Sequence, residues 1–341
     1  MIWTLLILIA GLALLIAGAD VLVRGVSGLA ASLGVPPLVI GLTVVAFGTS
    51  LPELVINTMS AAKGQTELAF GNLVGACTLN IGFVLAITAL VRPIEVHASI
   101  ITREIPMMLL GVAGIVVLTL DRELGGVTNA IDMLSRTDGM MLLLLFGVFL
   151  YYTIMQSFQK RKTDPFVTEV KDLIDESKSA MPAAQTASRA TWVDVLMVLA
   201  GVGAVTFGGR LTVGSAVSLA IAWGISQAVI GLTILSFGTT LPELVTGVVA
   251  ARRGQGDIAI GNVVGSNIFN LLCIGGIVSC ISPIALPQGG RLDLLMMAAL
   301  CTLLLPLAIR GPRRITRAEG ALLLIATVAY TIYRTAFAAG S

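Results

Sequence analysis

Gly48-Thr49-Ser50-Leu51-Pro52-Glu53 and Gly238-Thr239-Thr240-Leu241-Pro242-Glu243 are two versions of one hexapeptide, each set inside an apolar run. A carboxylate at the centre of such a run is costly, about 2.5–3.5 kcal/mol for an acid at a helix centre. The proline before it cannot donate a backbone hydrogen bond and crowds the carbonyl four residues earlier. That carbonyl belongs to Gly48 for Pro52 and to Gly238 for Pro242, and those around Thr49 and Thr239 are loosened with it. Broken backbone at membrane depth is tolerated only where it faces protein or a water-filled cavity. A chain that does this twice is expected to build one structure from both copies. Free carbonyls, hydroxyls and carboxylates make an oxygen-rich cage suited to a hard cation.

The surrounding composition places the hexapeptides in a membrane. Of 341 residues, 56% are hydrophobic and 12% charged, and a soluble domain carries about twice that charge fraction. Ten apolar spans are read near 2–31, 36–62, 67–91, 98–119, 139–157, 192–222, 226–251, 257–281, 292–309 and 318–337. Spans of about 20 residues cross a bilayer, so the expected class is an all-α polytopic membrane protein. The one long polar stretch, 158–191, holds Gln159-Lys160-Arg161-Lys162 and an acidic run from Glu169 to Glu176. It reads as a solvated connector with a short amphipathic helix at 166–178. A net charge of +2 gives no reason to expect nucleic acid. Cys77, Cys273, Cys280 and Cys301 lie in apolar runs with no CxxC pair, and read as reduced small residues. Met1-Ile2-Trp3-Thr4 has no basic n-region, so the first span reads as a retained helix.

Fourteen of the 21 Lys and Arg residues fall on the side of the loops after spans 1, 3, 5, 7 and 9. The positive-inside rule makes that side cytoplasmic and puts both termini outside. The two halves are copies. Gly41–Gly82 aligns with Gly231–Leu272 at a constant offset of 190, without a gap and with 20 of 42 positions identical. Five spans and an inside linker separate equivalent points, so the second copy enters the membrane from the opposite side. The expected organisation is a first five-helix repeat at 1–157, a cytoplasmic linker at 158–191 and a second, inverted repeat at 192–341. Inverted repeats are common in secondary transporters, with the site at the midplane where the copies meet.

Each copy carries two motifs. The first is Gly-Leu-Thr-x-x-x-Phe-Gly-Thr-Ser/Thr-Leu-Pro-Glu, at 41–53 and 231–243; the second is Gly-Asn-x-Val-Gly-x-x-x-x-Asn, at 71–80 and 261–270. Gly71, Gly75, Gly261 and Gly265 allow close helix contact. Glu53 and Glu243 together neutralise one divalent ion. Thr49, Thr239, Ser50, Thr240, Asn80, Asn270 and Ser266 offer neutral oxygens toward the roughly six to eight that calcium takes. Sodium ions fit the same cage, and competition between the two charge loads is the simplest route to antiport.

The paired motifs resemble those of the calcium/cation antiporter superfamily, whose members include sodium/calcium exchangers, and the resemblance covers the whole chain. It implies that Glu53 and Glu243 ligate calcium and sodium. It implies further ligands at Thr49, Thr239, Ser50, Thr240, Asn80, Asn270 and Ser266, and sodium-site backbone oxygens at Ala46 and Ser236. Two departures stand out. The first copy reads Gly75-Ala76-Cys77 where the second reads Gly265-Ser266-Asn267, so a hydroxyl is missing at Ala76. Asn270 stands where some relatives carry aspartate, which leaves two carboxylates rather than three.

The expected function is sodium/calcium exchange by alternating access in the plasma membrane, a bacterial or archaeal inner membrane. The chain is expected to act as a monomer on calcium and sodium ions in a lipid bilayer, with no cofactor, catalytic residue or enzymatic activity. The alternatives are antiport of protons or another cation, a passive cation channel and an intramembrane enzyme using paired carboxylates. Spans 1 and 6 lack the motifs and are expected to slide against the other eight. Asn72 and Asn262 read as helix glue, Thr43 and Thr233 as packing residues, and His97 as a solvated loop residue. Asp20 and Arg210, equivalent at the offset of 190, read as residues at wet helix ends.

Overall fold

The computed structural model describes residues 2–120, 132–159, 191–223, 236–310 and 313–340. The expected helix at 166–178 and Thr233 lie outside the described residues, as does nearly all of the linker. The fold is mostly helical. Among the described residues, six helices are long and apolar enough to cross a membrane, or seven if one bent pair is counted as a single span.

The elements follow the apolar spans closely. Helix α1 is Ile2–Leu33. Helices α2 (Pro37–Thr49) and α3 (Leu51–Ala62) are the bent pair, with 47° between them. They are followed by α4 (Thr66–Val91) and α5 (Ile100–Thr119), then α6 (Arg136–Gln159). The second half repeats the order with α7 (Thr191–Ala222), α8 (Ser236–Thr239) and α9 (Leu241–Arg252). Helices α10 (Gly256–Ile281) and α11 (Gly290–Ile309) come next, and α12 (Arg317–Gly340) closes the chain.

Two broken helices carry the first motif. At Ser50 the backbone leaves helical geometry with φ −87° and ψ 8°, and at Thr240 with φ −86° and ψ 0°. Each proline falls within the first two positions of the restarted helix. Its missing N–H costs nothing there, and its fixed φ suits the start of a helix. The helix thus breaks at the hydroxyl residue two positions before the proline, next to the loosened carbonyls expected around Thr49 and Thr239. Glu53 and Glu243 fall in the first turns of α3 and α9, at the positive end of each helix dipole.

Helices α1 and α7 form a long antiparallel pair joined by small residues. A Cβ on Gly18 would stand 2.7 Å from the Ala204 Cβ, and one on Gly201 2.7 Å from the Leu22 Cα. Gly11 abuts Thr212, Gly25 abuts Met197 and Val198, and Gly208 abuts Leu15. Glycines seven apart lie on one side of a helix, so the two backbones approach closely along the seam. At 32 residues each, these helices are about 48 Å long, well beyond a hydrocarbon core of about 30 Å. Trp3, Trp192 and Trp223, all exposed, mark their ends.

Helices α4 and α10 lie at the centre. Their apolar windows are 72% and 78% buried, against 33% for α1 and α7. Each contains a π-helical turn, at Asn80–Leu85 and Phe269–Ile274, and two more occur at Gly41–Val45 and Ile100–Glu104. Such turns are rare and frequent at functional sites. Gly265 lets α10 meet α2 closely: a Cβ there would lie 2.6 Å from the Leu42 carbonyl oxygen. Gly261 abuts Leu38 in the same way. At Gly71 and Gly75 an added Cβ meets nothing within 4 Å. The arm equivalent to α2, before residue 236, lies outside the described residues.

Two short antiparallel clips tie the halves together. Ile94–Glu95 pairs with Arg314–Ile315, and Met133–Leu134 pairs with Ile284–Ala285. Elsewhere large apolar side chains such as Leu144, Leu199 and Ile325 face outward, as expected of helices lying against lipid.

Candidate cation site

The two helix breaks place buried oxygen-bearing side chains against the middle of α4 and α10. Thr49, Ser50, Glu53, Asn80, Thr240, Glu243, Ser266 and Asn270 are each at most 1% exposed. The contacts among them cross from one half of the chain to the other. Ser50 Oγ–H donates to Glu243 Oε1 at 3.1 Å and lies 3.1 Å from Ser266 Oγ. Thr49 Oγ1–H donates to Asn262 Oδ1 at 3.1 Å, and the Thr49 hydroxyl also faces the Glu243 carboxylate. The Thr239 hydroxyl faces Glu53. Asn80 Nδ2 donates to Asn267 Oδ1 at 3.0 Å.

Glu53 and Glu243 are close enough to repel one another through space. Both Glu53 oxygens, Glu243 Oε2, Asn80 Oδ1 and Asn270 Oδ1 are buried without a hydrogen-bond partner. Buried polar groups are ordinarily satisfied, and buried charges are paired or bound to metal. A cluster of orphaned oxygens around two carboxylates has the chemistry to hold a hard cation. Among the described residues no three His, Cys, Asp or Glu side chains gather into a metal cluster. Two carboxylates with neutral oxygens suit sodium or calcium better than a thiophilic metal.

Not every expected donor is aimed alike. Thr240 Oγ1–H donates to the Phe237 carbonyl at 2.9 Å, back onto its own helix arm. The Ala46 carbonyl accepts from Ser50 N–H at 3.1 Å and from the Thr49 hydroxyl at 3.4 Å. The backbone of Ser236 opens α8. Asn262, expected to be helix glue, also donates to the Glu243 carbonyl at 3.4 Å, so it braces both Thr49 and the broken helix.

Several residues escaped the sequence reading. Asn57 and Thr246 lie one turn beyond Glu53 and Glu243, almost fully buried, with unpartnered polar atoms. Asn267 contacts Asn80 directly. The available signal was a polar residue within an apolar run, which a pairwise motif comparison passes over wherever the other copy lacks it. His97 is exposed, as expected, and lies 3.3 Å from Asp257, whereas Asp20 is held by Arg24 and Arg253 rather than only by water. The Thr43 hydroxyl is turned back onto its own helix, donating to the Val39 carbonyl at 2.7 Å. The four cysteines are free, with Cys77 and Cys301 buried and Cys273 and Cys280 only partly so.

Comparison with known proteins gives a consistent picture. The profile of the family described as Sodium/calcium exchanger protein matches residues 3–155 and 193–336. The putative antiporter CaxA of Alkalimonas amylolytica is 35% identical, over 94% of this chain and 95% of its own. The sodium/calcium exchanger MaX1 of Methanosarcina acetivorans is 30% identical, over 96% and 97% of the two chains. A solved structure of the sodium-calcium exchanger NCX_Mj, soaked with Na+ and Ca2+, superposes with a TM-score of 0.79 at 29% identity, covering 96% of this chain and 97% of that one.

Proposed function

The chain belongs to the sodium/calcium exchanger protein family, and from that premise we propose that it exchanges calcium for sodium across a membrane by alternating access. The observation that carries this reading is the pair of buried carboxylates, Glu53 and Glu243, one from each half, amid orphaned oxygens. Two close negative charges in a low-dielectric interior repel strongly, and a divalent cation between them removes that cost. Two sodium ions balance the same charge. A protein that changes state only when this balance is met couples the two ion flows without further machinery.

In this reading Glu53 and Glu243 hold the ion with Thr49, Ser50, Thr239, Thr240, Ser266, Asn80 and Asn270. The carbonyls of Ala46 and Ser236 complete the shell when sodium is carried. The chain makes ten spans in two inverted five-helix repeats joined by a cytoplasmic linker, with both termini outside a prokaryotic inner membrane. It works as a monomer, without cofactor or enzymatic chemistry. The antiparallel seam of α1 and α7 supports the inversion, because these helices occupy equivalent places in the two copies. The clips support it too, since Ile94–Glu95 lies 190 residues before Ile284–Ala285. Helices α1 and α7 carry none of the motif residues and pack on one another, so they move as a unit against the remaining helices. Crosslinking either to α9 should stop exchange, and undiminished exchange would refute the sliding.

The test of the function is calcium uptake into proteoliposomes under an imposed sodium or proton gradient. Sodium-driven uptake abolished by Glu53→Gln or Glu243→Gln is the expected result. Uptake driven by protons alone would replace the coupling ion, and uncoupled leak would make the protein a channel.

A further inference from the structure

We infer that Asn267 and Cys77 are positioning residues, which set the oxygen rather than the nitrogen of the Asn80 and Asn270 amides toward the transported ion. The inference rests on the exchanger reading above and deepens it. An asparagine in a cation site is useful in one orientation only. Its carbonyl oxygen coordinates, whereas its NH2 group, turned the same way, repels. Nothing in the Asn80 or Asn270 side chain itself makes that choice.

The surroundings of Asn80 make it. Its Nδ2 donates to Asn267 Oδ1 at 3.0 Å, which leaves Asn80 Oδ1 buried and unpartnered. Asn267 is in turn held by its own NH2, which faces the Cys77 carbonyl oxygen at 3.3 Å. The same group meets two sulfurs, Met108 Sδ at 3.7 Å and Cys301 Sγ at 3.6 Å. The Cys77 carbonyl and the Met108 thioether accept only, and the Cys301 thiol is a weak donor at best, so the donor end of Asn267 stays with them and its acceptor end stays with Asn80. Flipping Asn267 would set NH2 against NH2.

The counterpart on the other half is chemically weaker. Cys77 is separated from Asn267 by the repeat offset of 190, and its side chain interacts with the Asn270 amide. Asn270 Oδ1 is again buried without a partner. Each residue of the pair therefore crosses to the motif asparagine of the opposite copy. An amide oxygen is a strong acceptor and a thiol sulfur a weak one, so Asn80 is fixed firmly and Asn270 loosely. The Cys77/Asn267 difference between the copies thus becomes a difference in how rigidly the two amides are aimed.

The experiment is equilibrium binding of radioactive calcium to the purified full-length protein, in two backgrounds at residue 80. Asn267→Leu removes the acceptor and should weaken calcium binding about tenfold or more, the range seen when an outer partner of a ligand is lost. In an Asn80→Asp background the same substitution should cost little, because a carboxylate presents oxygen whichever way it turns. An equal loss in both backgrounds, or no loss in the native one, overturns the inference. Asn267→Ala removes the same oxygen without added bulk and carries the test if the leucine variant does not fold. Cys77→Ala should cost less than Asn267→Ala, and the reverse order counts against the pairing. Glu53→Gln separates the two readings. If it abolishes binding while Asn267→Leu changes nothing, only the positioning role fails; if native protein binds no calcium, the exchanger reading fails and takes this inference with it.

Discussion

The hydroxyl of Ser50 stands 3.1 Å from Glu243 Oε1, across 193 residues of chain. Its counterpart in the second copy, Thr240, donates instead to the Phe237 carbonyl at 2.9 Å. The two hydroxyls occupy matching places in matching motifs and face different partners. Glu243 is met by Thr49, Ser50 and Ser266, whereas Glu53, among the described residues, is faced by the Thr239 hydroxyl. The site is thus supported unequally, and Ala76 stands where the second copy has Ser266.

Ser50→Ala should therefore weaken exchange more than Thr240→Ala. Losing a hydrogen-bond partner of a buried charged group costs about 1–3 kcal/mol, so half-saturation by sodium should rise roughly tenfold or more for Ser50→Ala. Thr240→Ala removes a bond to its own helix and should shift it less than about threefold. Sodium-driven calcium uptake across a sodium titration measures both, and equal shifts would contradict the asymmetry.

Ala76→Ser should strengthen the weaker half. Ala76 is buried at the place equivalent to Ser266, whose hydroxyl serves Glu243. By the offset of 190, a serine there should add a neutral oxygen for Glu53 with little added volume. Half-saturation by sodium should fall several-fold while maximal calcium uptake stays within about twofold. A rise in half-saturation would mean that this position faces away from the ion.

Much of this was legible in the sequence because membrane burial makes polar residues informative. A glutamate repeated at mid-span has few innocent explanations, and the gap-free offset of 190 ties the two copies together in the sequence itself. The long apolar helices among the described residues were legible for the same reason, since apolar length is a direct signal. The π-helical turns were not, because the extra residue in a turn leaves no mark in hydropathy. The α1–α7 seam was present as glycines seven apart, but its partner lies in the other half, and only close approach reveals that Gly18 meets Ala204. Asn267 was hidden for a different reason: its role depends on Asn80 being within 3.0 Å of it, and helix packing alone sets that distance.

Calcium should raise thermal stability, and either charge-neutralising variant should remove the effect. A ligand at a hundredfold excess over its Kd stabilises by about 2.7 kcal/mol. Glu53 and Glu243 are both essentially buried and repel one another. Glu53→Gln should therefore raise the ion-free Tm by a few degrees while abolishing the calcium-dependent rise. Thermal unfolding in detergent with and without a chelator tests this. A lower ion-free Tm for the variant would show that the carboxylate stabilises the fold rather than the ion.

The seam between α1 and α7 should tolerate no side chain at its closest points. A Cβ on Gly201 would fall 2.7 Å from the Leu22 backbone, whereas Gly203 has nothing within 4 Å. Gly201→Ala must push the helices apart, and Gly203→Ala should be neutral or slightly stabilising through helix propensity. Exchange and Tm should both drop for the first and neither for the second. Matching behaviour of the two variants would dissolve the seam as a structural unit.

The Asp20–Arg253 ion pair should bias which face of the protein is open. Asp20 belongs to α1 and Arg253 follows α9, with Nε 2.6 Å from Asp20 Oδ1, and Arg24 meets the same carboxylate at 2.7 Å. The pair ties α1 to the bundle on the arginine-rich face. At the offset of 190 its counterparts are Arg210 and Lys63, two cations that cannot pair. If the halves exchange roles in the cycle, these two positions supply no such clamp on the opposite face. Asp20→Asn removes the existing clamp, and Lys63→Glu supplies the missing one by giving Arg210 a partner. Both should shift the population the same way, toward opening on the arginine-rich face. The side chains are about one-third exposed, and such pairs contribute at most about 1 kcal/mol. The ratio of calcium half-saturation at the two faces should therefore move by roughly two- to fivefold. Uptake into right-side-out and inside-out vesicles measures that ratio, and no movement in either variant removes the clamp from the transport cycle.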